Sequence, residues 1–265
     1  MSSDRPAPPS TKHFSSAILL WMRSDRPRRQ SMDYWKGPHA GIIAASAGLD
    51  EYRQVHLAED NPGRWPSALG VETSIPADRR VDGIAEVTQA SALAPLSGRK
   101  QTALAYADEV NVFRRTLFYG GFPGWSRWYD LGAHQYVGSR AVIALRRRDD
   151  VNSRTFRNFV KNDLVVQLAA TGVLTELRTQ FFFPWIKKLW DTPNVAHDNP
   201  RDQRFHASVI LGFADDATRA AFFDGGIAAR LTPTIAPLAS AIHAYDVSET
   251  LTYVKDGAII DLGEA

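Results

Sequence analysis

The same order of apolar periods runs twice along this chain, and that repeat limits the folds open to it more than any single motif does. Segments 14–23, 49–58, 81–90 and 127–130 alternate like strands. Helix-like periods at 31–47 and 100–117 separate them, the second carried by Leu104, Ala107, Val110 and Phe113. Strand-like segments return at 140–147, 174–183, 203–213 and 239–247, with helices opening at Ser153 and Asp215. The halves also agree locally. Ala17-Ile-Leu-Leu-Trp-Met-Arg23 matches Val142-Ile-Ala-Leu-Arg-Arg-Arg148 in kind, and Ala47-Gly48 and Thr171-Gly172 each precede a strand.

A strand–helix–strand–strand–helix–strand order met twice predicts an α+β chain of two tandem ferredoxin-like βαββαβ repeats. Their antiparallel sheets are expected to pack face to face as a dimeric-type α/β barrel, helices outside, with the shared interior as the ligand pocket. The expected division is a flexible tail at 1–13, with Pro6, Pro8 and Pro9, a first domain at 14–138 and a diverged second domain at 139–265. Long polar loops are expected at 61–80 and 184–201. The first helix should be capped by Ser31, ended by Gly48, and kinked or split at Pro38.

Composition removes several classes of function. With 44% apolar and 23% charged residues the chain is not disordered. The 31 basic and 29 acidic residues balance, which argues against a nucleic-acid partner, and Arg146-Arg147-Arg148 before Asp149-Asp150 reads as a solvated strand end. The absence of cysteine excludes disulfides, thiolate metal sites and a cysteine nucleophile. No signal peptide is visible and the apolar run 17–22 is too short to span a bilayer, so no membrane partner and a cytoplasmic location are expected. Phosphate-loop, dinucleotide-loop, nucleophile-elbow and His-x-x-x-His patterns are all missing, and no metal is expected.

Strand parity nominates candidates. If Ile18, Leu20 and Met22 face the helices, Trp21 and Arg23 point inward. If Val55 and Leu57 face the helices, Tyr52, Gln54 and His56 point inward, as does Glu86 opposite Ala85 and Val87. A Glu and a His in one cavity would share acid–base work. On the first helix His39 follows Gly37-Pro38 and is the leading proton-transfer residue. His206, Ser208, His243 and Tyr245 are weaker candidates in the second half. Aromatic clusters at 118–129 and 181–185 suit packing or an apolar pocket.

Ser31-Met-Asp-Tyr-Trp-Lys-Gly-Pro-His-Ala40, followed by Gly48-Leu-Asp-Glu-Tyr-Arg-Gln-Val-His56, resembles the EthD family of the dimeric α/β barrel superfamily. Tyr34, Trp35, His39, Gly48, Leu49 and Tyr52 carry the likeness, and 108–119 looks like the end of such a domain. The likeness covers about 14–130; nine residues before Gly172 stands Asp163, where the same count from Gly48 gives His39, so the second copy lacks the histidine. The resemblance implies the fold, while its members span cyclases, dehydratases, cofactor-free monooxygenases and haem enzymes. The expectation is a cofactor-independent enzyme that moves a proton on a hydrophobic aromatic or polyketide-like molecule in dehydration, cyclisation or isomerisation. His39, His56 and Tyr52 would be catalytic, and Trp21, Arg23, Tyr34, Trp35, Gln54, Glu86 and His206 would bind substrate. The alternatives are an oxygen-using or haem-bearing enzyme, with His39 as the haem ligand, and a non-catalytic binding protein. A homodimer is expected because sheet edges tend to be covered.

Overall fold

The computed structural model describes residues 9–91, 94, 99–132 and 136–260. Its strands are β1 (Ser10–Thr11), β2 (Phe14–Met22), β3 (Leu49–Leu57), β4 (Gly83–Gln89), β5 (Phe113–Gly121), β6 (Ser126–Tyr129), β7 (Ser139–Arg147), β8 (Leu174–Phe181), β9 (Ala207–Phe213), β10 (Ala239–Lys255) and β11 (Ala258–Ile259). One antiparallel sheet contains them all, in the order β1-β6-β8-β9-β7-β10-β3-β4-β2-β5, with β11 on β10. Four strands of the first half therefore run β5-β2-β4-β3, and four of the second run β10-β7-β9-β8. β10 joins the two groups. Its residues 239–247 pair with β7 and its residues 247–254 with β3. In return β6 crosses to pair with β8.

The sheet curls until its ends meet, where the Phe183 N–H donates to the Gly120 carbonyl. The concave face is filled by Ala17, Leu19 and Trp21 of β2, Val55 and Leu57 of β3, Leu117 and Tyr119 of β5, and Val142, Ile210 and Tyr245 from the second group. The expected ligand pocket inside the barrel is thus a packed core. Strands buried on both faces read as continuous apolar runs, so alternation does not reveal which face meets the helices.

Helices cover the convex faces. In the first half α1 (Arg28–Tyr34) passes through a π-helical turn (Trp35–His39) into α2 (Ala40–Ala44), and α3 (Arg99–Val112) lies alongside. In the second half α4 (Ser153–Phe159) passes through a π-helical turn (Val160–Leu164) into α5 (Val165–Ala169), followed by α6 (Asp216–Asp224) and α7 (Ile227–Ile235). The second convex face is solidly packed by Phe156, Phe159, Leu164, Phe222 and Leu231. Burying an aliphatic or Phe side chain of this kind contributes about 1.5–3 kcal/mol. Gly83 lets the first helix approach the sheet, because a Cβ there would run into the Trp35 ring.

Several expectations change. Ser31 is buried inside α1, not its cap; Pro27 opens the helix. The helix expected to run to residue 117 stops at Val112, and Phe-Arg-Arg-Thr-Leu-Phe-Tyr continues as β5, the fourth strand of the first group. Aromatic and β-branched residues at those positions fit a pleated surface, while their spacing also matches a helix. The last strand runs eight residues past Val247, to Lys255. Ser10 and Thr11 pair with β6, so the end of the expected tail is held.

Candidate active site

On the first half's convex face, sheet and helices part to leave a cavity of about 400 Å³. Its floor is Ile18 and Leu20 of β2, Leu49 and Tyr52 of β3, and Ala85 and Val87 of β4; its walls include Trp35, His39, Phe113 and Phe118. His39 and Glu109 bring an imidazole and a carboxyl to a mostly apolar surface that also carries Ser16, Ser46 and Gln89.

His39 comes from the end of the π-helical turn and is buried. Its Nδ1 lies 2.8 Å from Asp108 Oδ2 on α3. Asp108 also accepts from the Tyr34 hydroxyl at 2.9 Å and from Asn111 Nδ2 at 3.0 Å. These donors, the His39 bond first, pull the Asp108 carboxyl down to about 2. An ionised carboxylate only accepts, so Nδ1 carries the hydrogen, which leaves Nε2 as the ring nitrogen that can take up or give a proton. The hydrogen bond the ring makes to Asp108 is at Nδ1. Phe113 holds the ring edge-on, with centroids 5.3 Å apart.

Glu109, one residue on, faces the cavity. Burial pushes its carboxyl up. It accepts from Trp190 Nε1 at 2.8 Å and from the Thr192 hydroxyl at 2.6 Å. Trp190 stacks on Phe118 and meets Tyr106 edge-on. The segment 183–197 is thereby drawn over the cavity, and His197 braces it between the Thr192 N–H and the Thr116 carbonyl. Tyr52 is buried against the floor; its oxygen accepts from Gln54 Nε2 at 2.7 Å, and burial pushes its hydroxyl far up, so it stays protonated.

The other candidates scatter. Trp35 and Tyr52 line the cavity, and Tyr34 stands behind it as a donor to Asp108. Tyr52, Gln54 and His56 face the helices, since Val55 and Leu57 take the concave core; their assigned parity was reversed. Gln54 donates to the Trp35 carbonyl, and His56 stacks on Trp35 outside the cavity wall, with burial holding it at about 4. Glu86 lies on the opposite face from His56, ion-paired to Arg53, so the two form no acid–base pair. Trp21 is in the concave core, and Arg23, past the end of β2, pairs with Asp25 at 2.6 Å. His206 caps the Arg147 N–H in the second half, and burial holds it at about 4. Matching the two π-helical turns sets Leu164, not Asp163, opposite His39, because the stretch from turn to glycine is one residue shorter in the second half.

Asp108, Glu109 and Trp190 were missed. The signal for the first two exists: Ala105, Asp108, Glu109 and Val112 are the buried face of α3, one residue round from the expected Leu104 face, and Leu104 is exposed. Two acids on a helix's buried stripe ask for partners. Nε2 of His39 offers a nitrogen to an iron, but no Arg or Lys lines the described wall to pair a haem's carboxylates, so the lining suits an uncharged ligand better. No group of three or more metal-ligating side chains gathers among the described residues. No described helix is long and apolar enough to cross a membrane.

No protein-family model matches the chain and no curated protein matches it, so the EthD resemblance rests on its motif residues. Solved structures do match. An anthrone oxidase-like protein aligns at a TM-score of 0.60 and 6% identity, over 97% of this chain and all (100%) of that one. A candidate monooxygenase from Fusobacterium nucleatum subsp. nucleatum aligns at 0.54 and 7% identity, over 96% and 98%. At such identities the likeness is one of fold alone: the chain is an α+β protein with the ferredoxin-like, dimeric α/β barrel architecture of these neighbours.

Proposed function

We propose that this protein is an enzyme in which His39 Nε2 removes a proton from an apolar carbon acid or phenol held in the first-half cavity. One observation carries the reading: a histidine whose Nδ1 is held by an ionised aspartate lines a mostly apolar cavity. Asp108 stabilises the imidazolium that forms, and the Tyr52 hydroxyl, kept protonated, donates to the oxygen on which charge develops. The proton returns from His39 to another atom of the ligand in an isomerisation, elimination or cyclisation that needs no bound cofactor. Tyr34 and Trp35 position the dyad and the wall.

We also infer two tandem ferredoxin-like units, divided at 138/139. The matching strand orders and the two π-helical turns support this. The cavity that His39 lines lies in the first unit. The homodimer expectation rests on fold likeness, because residues 183–197 cover the free edge of β5 within the chain.

The test is a panel of aryl ketones and phenols incubated with the protein in deuterium oxide and read by proton NMR. Exchange of a carbon-bound proton is expected, falling roughly 10²–10⁴-fold in His39→Ala while ligand binding persists. Binding without exchange in the wild type would leave a receptor. Oxygen uptake during turnover, or a visible absorption band of the purified protein lost in His39→Ala, would replace the proton-shuttling reading by an oxygen-using one.

A further inference from the structure

A second polar cluster lies on the other side of β2, at the concave face. A void of about 20 Å³ is bounded by Trp21, Arg79, Arg115, Arg146, Asn199, Phe205 and His243. That volume holds one occupant of water size, since one water needs roughly 10–15 Å³.

The wall is cationic and short of partners. Glu72 alone serves three of its groups: Arg79 at 2.9 Å, Arg146 at 3.4 Å and His243 Nε2 at 2.6 Å. Arg115 has no ion pair among the described residues and donates only to the Asp198 backbone carbonyl; the carboxylates of Asp198 and Asp78 act on it at longer range. Trp21 Nε1, Arg115 Nε and Arg146 Nε are buried N–H groups without an acceptor. Trp21 is 3%, His243 1% and Arg146 8% exposed, while Arg115 and Arg79 are half-buried. Aromatic faces fix the guanidinium planes, with Arg115 4.7 Å from the Trp21 centroid and Arg146 5.9 Å from Phe205. Unpaired buried donors and positive charge both carry a desolvation cost that an anion would relieve. Asn199 Oδ1 and His243 Nδ1 are unpartnered acceptors on the same wall, which a water would also satisfy.

We propose that this void binds a single small monovalent anion of halide size, held by Trp21, Arg115 and Arg146. The site is independent of the His39 cavity, and Leu20 and Trp21 point to opposite faces of one strand.

The experiment measures the thermal midpoint at constant ionic strength while chloride replaces gluconate, an anion too large for the void. A rise with chloride is expected in the wild type, with apparent affinity weakened roughly 10- to 100-fold in Arg115→Met. If that variant does not fold, Trp21→Phe removes a single donor and should weaken binding in the same direction. Bromide-soaked crystals should show an anomalous peak between Trp21 Nε1, Arg115 and Arg146. Equal midpoints in chloride and gluconate, or bromide found only on the outer surface, would overturn the proposal and leave a structural water.

Discussion

Asp108 accepts three hydrogen bonds and is held near 2, so it stays a carboxylate near neutral pH. Asp108→Asn keeps the size but removes the acceptor charge and can turn the imidazole to the other tautomer. Turnover on any substrate found should fall on the order of 100-fold or more, with ligand affinity little changed; steady-state kinetics of the variant checks this. His39 was legible in the sequence because it stands beside Gly37-Pro38 in a motif. Its partner was not, because 69 residues separate them and only the fold brings α3 against the first helix. Tyr52, Gln54 and His56 were found as a set and turned to the wrong side. Every position of β3 from Glu51 to Leu57 is buried, so polarity gives no sense of direction there.

At the scale of elements, the π-helical turn sets where His39 points. Pro38 invites the view that a missing N–H causes it, yet Val160–Leu164 adopts the same turn with no proline. The wide turn belongs to how this helix seats on the sheet. Pro38→Ala should therefore leave turnover within a few-fold of the wild type. Deleting Gly37 should instead rotate His39 by about 100° relative to the residues before it, break the bond to Asp108 and abolish turnover while circular dichroism stays native. The cover over the cavity is an element of the same kind: Trp190→Ala removes the ring stacked on Phe118 and the donor to Glu109, and should weaken ligand binding about tenfold or more, read by calorimetry. The strand–helix order and most strand centres were legible from periodicity. β5 and the far half of β10 were not, because spacing in the one fits a helix equally and the other continues through Ser248, Glu249 and Thr250, where burial lapses.

For the whole molecule, the two strand groups meet across ions as well as apolar residues. Arg53, 2% exposed, binds Glu86 of its own group and Glu176 of the other, at 3.1 Å; Glu176 also takes Arg140 and Arg178, each at 2.5 Å, and Arg178 reaches Glu51 at 3.4 Å. The arginines hold the Glu176 carboxyl far below its ordinary range. Glu176→Gln strands buried arginines and should cost about 3–5 kcal/mol in urea unfolding. Acid should destabilise the protein before those carboxylates titrate. Burial holds His56, His206 and His243 at about 4, against 6.5 in the unfolded chain. Between pH 6.5 and 4 the unfolded state binds more protons, so stability falls with pH by up to about 3 kcal/mol for each histidine. Burial raises Glu51 and Glu109, which opposes part of that loss. The thermal midpoint should drop from pH 7 to 5, with a shallower slope in His206→Gln.

The crossing of β10 has a consequence in time. Tyr253 stacks on Tyr52 and its hydroxyl donates to the Lys36 carbonyl, 2.6 Å away, while Glu249 pairs with Lys36. The helix that carries His39 is thus braced by residues made more than two hundred positions later. During synthesis the first group leaves the ribosome with its β3 edge bare and its cavity floor unsupported, and waits for nearly the whole second group before the last strand arrives. Assembly of the candidate site is then the final event of folding rather than an early one, so a nascent chain stalled before Glu249 carries His39 and Asp108 but no finished cavity beside them.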